Sequence, residues 1–380
     1  MDSLLNSLGI RYPVIQGPMG GGPSTPELVA AVSSAGGLGS LGAAYLTPAQ
    51  IQHTIRRIRE LISLPFNVNL FAGGWDTAAR TVDPGPMIAM LAEVHRSWGL
   101  PVPTAPELPP DPFPAQLEAV LAEKPPVFSF TFGIPGPDAM GRLKAQGIFA
   151  IGTATTVNEG RMLAESGVDA IVAQGAEAGG HRGTFAGPFQ SAMIPTLDLT
   201  RRIRESVKVP VIASGGLMDG RDIAVALDCG ASAAQLGTAF LVCPESGAPE
   251  VHKRAILSAR SDTTVVTRAF SGRPARGLAN RFISELEGRE DTILPYPLQN
   301  ILTRAMRREA GKRAEREYLS LWAGQGLARA RALPAAELVA RLVEELEAAL
   351  SARPPSGRPT GGNAPARAGA AIENARNRRG

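Results

Sequence analysis

The sequence predicts an α/β fold, a (β/α)₈ TIM barrel with an insertion after strand three and a C-terminal helical cap. Three observations predict it. Short apolar runs alternate with helical patterns from the N-terminus to about residue 260, and that alternation builds a parallel sheet covered by helices. The unit repeats eight times within about 250 residues, which is the count and size of a closed barrel. Glycine-rich turns follow several of the runs, at the strand ends where such barrels place their ligands.

The strands are expected at 13–16, 38–41, 66–70, 127–130, 149–151, 170–173, 210–213 and 233–236. Helices at 26–35, 48–62, 116–123, 137–146, 157–166, 197–207, 219–229 and 249–259 open at Ser, Thr, Asp or Pro and close near Gly. An open doubly wound sheet has the same periodicity, and the count of eight favours closure. Residues 72–114 hold nine prolines and a helical stretch at 87–98, too much for a barrel loop, so they form an insertion. After residue 260 an irregular stretch leads to helices expected at 298–313, 318–327 and 335–352, a cap that would shield the site from water. The chain thus divides into a barrel over 1–260, a cap region over 261–350 and a disordered basic tail over 351–380.

Composition narrows the function classes. With 44% hydrophobic residues in a chain of 380, a large core can be buried. Residues 1–12 lack a basic segment followed by an apolar one, and no run of 18 apolar residues exists, so a soluble, cytoplasmic protein without a membrane partner is expected. Cys229 and Cys243 have no metal-ligand spacing, so neither a disulfide framework nor a metal site is implied. A pI near 9.3 suggests nucleic acid, but the last 30 residues carry six Arg and one Glu, which leaves 33 basic against 34 acidic residues in the rest. The body is near neutral, no nucleic-acid partner is expected, and the Pro-, Gly-, Ala- and Arg-rich tail reads as a solvated end.

The strongest constellation is AQGAEAGGHRG, residues 173–183. A buried run delivers Gln174 to its strand end, and Gly179, Gly180 and Gly183 let the loop approach a ligand while projecting one imidazole. A lone loop histidine is more often a surface residue. At a barrel mouth between glycines, His181 becomes the candidate catalytic base. The seventh and eighth strands end in Gly215-Gly216 and Gln235-Leu236-Gly237-Thr238. Either turn alone could be a tight connection, but together they surround an anion and favour a phosphorylated cofactor. The run Val14-Ile-Gln-Gly-Pro-Met-Gly-Gly-Gly22 offers a flat backbone for a ring system, and Pro18 and Pro23 separate it from a nicotinamide-dinucleotide fingerprint. Asn67 and Asn69 alternate on one strand and place amides where a flavin could bond them.

The strings IQGPM, AGGLGSLG, FNVNLF, AQGAEAGGHRG, ASGGLMDGR, QLGTAF and SGRPARGLANR together resemble the class I nitronate monooxygenases, formerly 2-nitropropane dioxygenases, from about residue 8 to 348. The resemblance implies a TIM barrel with an added helical domain and non-covalently bound FMN. It implies FMN contacts from Met19, Asn69, Gln174, Gly179, Gly216 and Gln235 to Thr238, with His181 as base and Tyr296 beside the substrate. It also implies oxidation of nitronates such as propionate 3-nitronate by O₂, giving a carbonyl compound and nitrite. Two departures from the family pattern concern the substrate: Thr131 stands where a His is common, and Asn300 and Arg304 where a Tyr and a Lys are common. The alternative enzyme is an NAD(P)H-dependent FMN oxidoreductase, a quinone or enoyl reductase, whose relatives share the EAGGH-type loop. A non-catalytic flavin- or phosphate-binding module has no use for the imidazole.

Overall fold

The computed structural model describes residues 3–75, 82–260 and 262–352. The tail expected from residue 351 lies outside them beyond residue 352. Eleven strands follow in order: β1 (Val14–Gln16), β2 (Gly39–Gly42), β3 (Phe66–Phe71), β4 (Val127–Thr131), β5 (Phe149–Ala154), β6 (Ala170–Gln174), β7 (Gly180–His181), β8 (Val211–Ser214), β9 (Ala233–Leu236), β10 (Thr264–Thr267) and β11 (Ala275–Leu278). All except β7, β10 and β11 form one parallel sheet in the order β1-β9-β8-β6-β5-β4-β3-β2. A bridge between Ile15 and Leu38 joins its two ends, with Gln16 N–H donating to Leu38 O at 2.9 Å. The ring is a (β/α)₈ barrel. Its strands are covered on both faces, which is why they read as apolar runs without alternation. The eight expected strands are the eight barrel strands, with ends differing by at most three residues.

The helices start where their caps dictate. Thr47 with Gln50, Thr156 with Glu159, and Asp219 with Asp222 each form a reciprocal capping box that satisfies the first free N–H groups. A helix that the sequence did not signal, Ser3–Leu8, lies across the amino ends of the strands. There Leu4 and Leu8 pack with Ile15, Leu38, Val127 and Ile212, and the opposite end of the barrel is left for the site.

Three features differ from expectation. The two-residue β7 pairs with β11, which pairs with β10, in a small antiparallel sheet above the barrel; two residues are too few to carry periodicity, and β10 and β11 lie beyond the barrel's repeat. The helix expected over 298–313 breaks at Thr303 into Leu298–Leu302 and Arg304–Arg313, where the Thr303 hydroxyl bonds to the Phe270 carbonyl at 2.6 Å. The helix expected over 318–327 is absent. Its backbone instead runs along β11, with Leu278 N–H donating to Leu321 O at 2.9 Å and Trp322 bridging Gly277. Gly324 and Gly326 serve close approach here, since a Cβ on Gly324 would stand 2.7 Å from Glu177 O. Helix Gly85–Trp98 of the insertion packs Met87 and Leu91 against Phe270, Leu294 and Met306, so insertion and C-terminal region share one apolar core beside the barrel mouth.

Candidate active site

The carboxyl ends of β3, β6, β8 and β9 bring Asn69, Gln174, Ser214 and Gln235 to the floor of a cavity of about 830 Å³, within the range of small-molecule sites. His181 projects from the loop that follows β6, and that loop is fixed from two sides. Gln174 donates through Nε2 to His181 O at 3.0 Å and accepts Gly183 N–H at 2.7 Å. The buried guanidinium of Arg182 donates to Gly175 O, Gln174 O and Ala192 O. Gly180, at φ +73°, makes the left-handed turn that a side chain would oppose.

The imidazole is held by three kinds of neighbour. Its Nε2 lies 2.8 Å from the Ser271 hydroxyl oxygen, and that hydroxyl reaches Arg273 O at 3.2 Å. A hydroxyl that donates to a carbonyl can accept the Nε2–H, which leaves Nδ1 with the lone pair. The rings of Trp322, Phe132 and Phe71 surround the imidazole at 5.6, 5.9 and 6.4 Å. Burial, then the fields of Arg273 and Arg307, pull the His181 pKa down to about 3. His181 is therefore neutral near pH 7. Arg273 is held over Phe132 at 3.9 Å, and Phe132 itself sits at φ +74°, a strained conformation for a bulky residue. Arg307 donates to the Asn300 carbonyl and side-chain oxygens at 2.8 and 2.7 Å.

Across the cavity, the turns after β8 and β9 form an anion cradle. Among the described residues, the backbone N–H groups of Gly215, Gly216, Gly237 and Thr238 have no protein acceptor. A Cβ on Gly237 would meet no protein atom within 4 Å, so the space beyond it is open to a ligand. Gly216 adopts φ +69°. The arrangement can hold an oxyanion at one end, lay a ring system over the strand ends and present a neutral base beside it. Thiolate chemistry is not available: Cys243 is buried and its pKa is pushed up to about 12.

A profile of the nitronate monooxygenase family matches residues 2–345. The chain belongs to the nitronate monooxygenase family. It is 40% identical over 346 residues to a probable nitronate monooxygenase of Staphylococcus aureus, covering 91% of this chain and 97% of that protein. Its structure is similar to that of a nitroalkane oxidase from Streptomyces ansochromogenes, with a TM-score of 0.85, 41% identity and coverage of 92% and 99%. FabK from Thermotoga maritima is similar at a TM-score of 0.71 and 28% identity, with coverage of 92% and 96%. This nitronate monooxygenase family member is an oxidoreductase acting on a nitroalkane or nitronate, in a flavin-dependent family. Among the described residues, no helix is long and apolar enough to cross a membrane.

Of the residues singled out in the sequence, Met19, Asn69, Gln174, Gly179, Gly180, His181, Gly215, Gly216, Gln235, Gly237 and Thr238 line the one cavity. Thr131, Asn300 and Arg304 line it too. Leu236 does not: its side chain is 1% exposed in the core with Ala213 and Phe240, because strand alternation turns it away from Gln235. Tyr296 is also placed otherwise. It is packed against Trp75 and Phe132 behind Tyr45, so it supports the wall without lining it. Asn67 lies one layer below the floor, donating to Ser40 and Ser129 at 3.2 and 2.9 Å. Gly179 serves packing as well, since its Cβ would stand 2.5 Å from Gly324 N.

Sequence reasoning missed Ser271, Arg273, Tyr45, Arg307 and Trp322. Ser271 and Arg273 stand in the SGRPARGL string, whose small and cationic residues ahead of a short strand were the available signal. Tyr45, Arg307 and Trp322 lie in segments with no chemical pattern of their own.

Proposed function

We propose that this chain binds FMN non-covalently and oxidises alkyl nitronates, propionate 3-nitronate among them, with O₂ as co-substrate, releasing a carbonyl compound and nitrite. The observation that carries this reading is a neutral His181 bonded to Ser271 and flanked by Arg273 and Arg307, in the cavity whose other wall is an anion cradle. Gly215, Gly216, Gly237 and Thr238 would hold the FMN phosphate, and Met19, Asn69, Gln174 and Gln235 would line the ring system. When bound there, FMN would supply the electron chemistry that couples oxidation of the nitronate to reduction of O₂.

His181 Nδ1 is the base that takes the α-proton of a neutral nitroalkane. A pKa near 3 suits the ligand-free site and makes protonation costly there. The negative charge that develops on the substrate offsets the fields of Arg273 and Arg307, so the imidazolium and the nitronate stabilise each other as the proton moves. A nitronate that arrives already deprotonated needs no base, and the same arginines attract its charge.

An anaerobic stopped-flow comparison tests the reading. The yellow protein, mixed separately with propionate 3-nitronate, NADH and NADPH, should lose its flavin absorbance rapidly with the nitronate alone. Rapid bleaching by NADPH with none by the nitronate would contradict it and favour the NAD(P)H-dependent alternative.

A further inference from the structure

Helix Arg304–Arg313 carries cations at positions 304, 308 and 312. A spacing of four residues puts all three on one helix face. Arg304, Arg308 and Lys312 line the same cavity as His181, so one cavity reaches from the base to this face. With a rise of about 1.5 Å per residue, the stripe is about 12 Å long. Gly311 on the same face leaves room beside Leu319 and Pro249.

Two of the three charges are not paired with a carboxylate of the described residues. Among the described residues, neither Arg304 nor Arg308 has a carboxylate within ion-pair distance, and Lys312 shares Glu309 at 3.6 Å with Arg313. Arg307, one position off the stripe, instead donates to Asn300 and sends its field toward His181. The cations therefore form a gradient. Arg307 acts at the reacting end, Arg304 acts on Tyr45 and Tyr296, and Arg308 and Lys312 stand farther along the helix.

We infer that the Arg304, Arg308 and Lys312 stripe is a second anion subsite, one that selects elongated nitronates bearing a remote carboxylate or phosphate over simple alkyl nitronates. The inference rests on the nitronate reading above and names the substrate class of that same site. A compact nitronate occupies only the end at His181. A tether of several carbons carries its head group to Arg308 and Lys312, and the exposed stripe also draws such dianions toward the mouth.

Calorimetric titration of the purified holoenzyme tests this without turnover, using hexanoate, adipate and 6-phosphonohexanoate, in which one carboxylate stands in for the nitronate. Adipate or the phosphonate should bind at least about ten-fold more tightly than hexanoate, about 1.4 kcal/mol, and the tighter of the two identifies the head group. That gain should shrink as salt is raised and should fall to about two-fold or less in Arg308→Glu/Lys312→Glu. Arg308→Gln/Lys312→Gln, if the charge reversal does not fold, should show the same loss. Equal affinity of the wild type for all three ligands, or an unchanged ratio in a folded variant, would overturn the inference. Failure of the nitronate reading shows separately, as absence of flavin bleaching by nitronates.

Discussion

The Nε2 atom of His181 lies 2.8 Å from the hydroxyl of Ser271, 90 residues further along the chain. The contact exists because β7 pairs with β11 in the register His181 to Ala275, which carries the Ser271 turn over the β6 loop. In the scheme above the hydroxyl receives the Nε2–H and leaves Nδ1 as the base. Ser271→Ala removes that acceptor, and a hydrogen bond of this kind contributes about 1 kcal/mol. Turnover of a neutral nitroalkane should fall about five-fold with flavin content unchanged, while oxidation of pre-formed nitronate falls less. Equal losses on the two substrates, measured as kcat/KM, would make Ser271 a support of the loop alone.

Gly237 and Gly179 separate ligand space from packing space. Gly237→Ala adds a methyl where no protein atom lies within 4 Å, at an ordinary negative φ, so the apoprotein should keep its stability. If the phosphate sits there, FMN affinity should fall at least about ten-fold, about 1.4 kcal/mol. Gly179→Ala drives a methyl to within 2.5 Å of the 323–324 backbone and should destabilise the fold by about 1–3 kcal/mol. Fluorescence titration of FMN and urea unfolding of both variants check the contrast.

His252 makes acid stability a readout of the cap contact. Its Nε2 bonds to Trp322 O at 3.1 Å, and burial pulls its pKa down to about 4, against about 6.5 in an unfolded chain. Between these values the unfolded state holds a proton that the folded state lacks, so stability falls as pH falls from about 6.5 toward 4. Each pH unit removes about 1.4 kcal/mol from this residue. Urea unfolding at pH 7 and 4.5 should show the wild type losing about 2–3 kcal/mol more than His252→Gln, whose amide can keep the bond to Trp322. Parallel losses would place the acid sensitivity elsewhere.

The barrel was legible because each strand is buried on both faces and each helix opens at a chemical cap, signals that are local in sequence. His181, Gln174 and the two glycine turns were legible for the same reason, since strand ends and glycine runs are local. Ser271, Arg273 and Arg307 act at His181 through pairing between β7 and β11 and through the break at Thr303, which depend on partners far along the chain. The helix expected over 318–327 failed similarly: its apolar content suits a helix, but Leu321 and Ala323 bond to β11, and tertiary pairing overrode propensity. Leu236 was misplaced by carrying a whole motif into the site where alternation admits only Gln235 and the turn after it.

The most direct test of His181 as base compares His181→Asn on a neutral nitroalkane and on its pre-formed nitronate. Asparagine keeps similar size and some hydrogen bonding but has no basic nitrogen lone pair that can take the proton. The variant should retain FMN and lose about 10²–10⁴-fold in kcat/KM on the nitroalkane, with a much smaller loss on the nitronate, whose α-proton is already gone. Equal losses on both substrates, or full activity on both, would contradict the assignment.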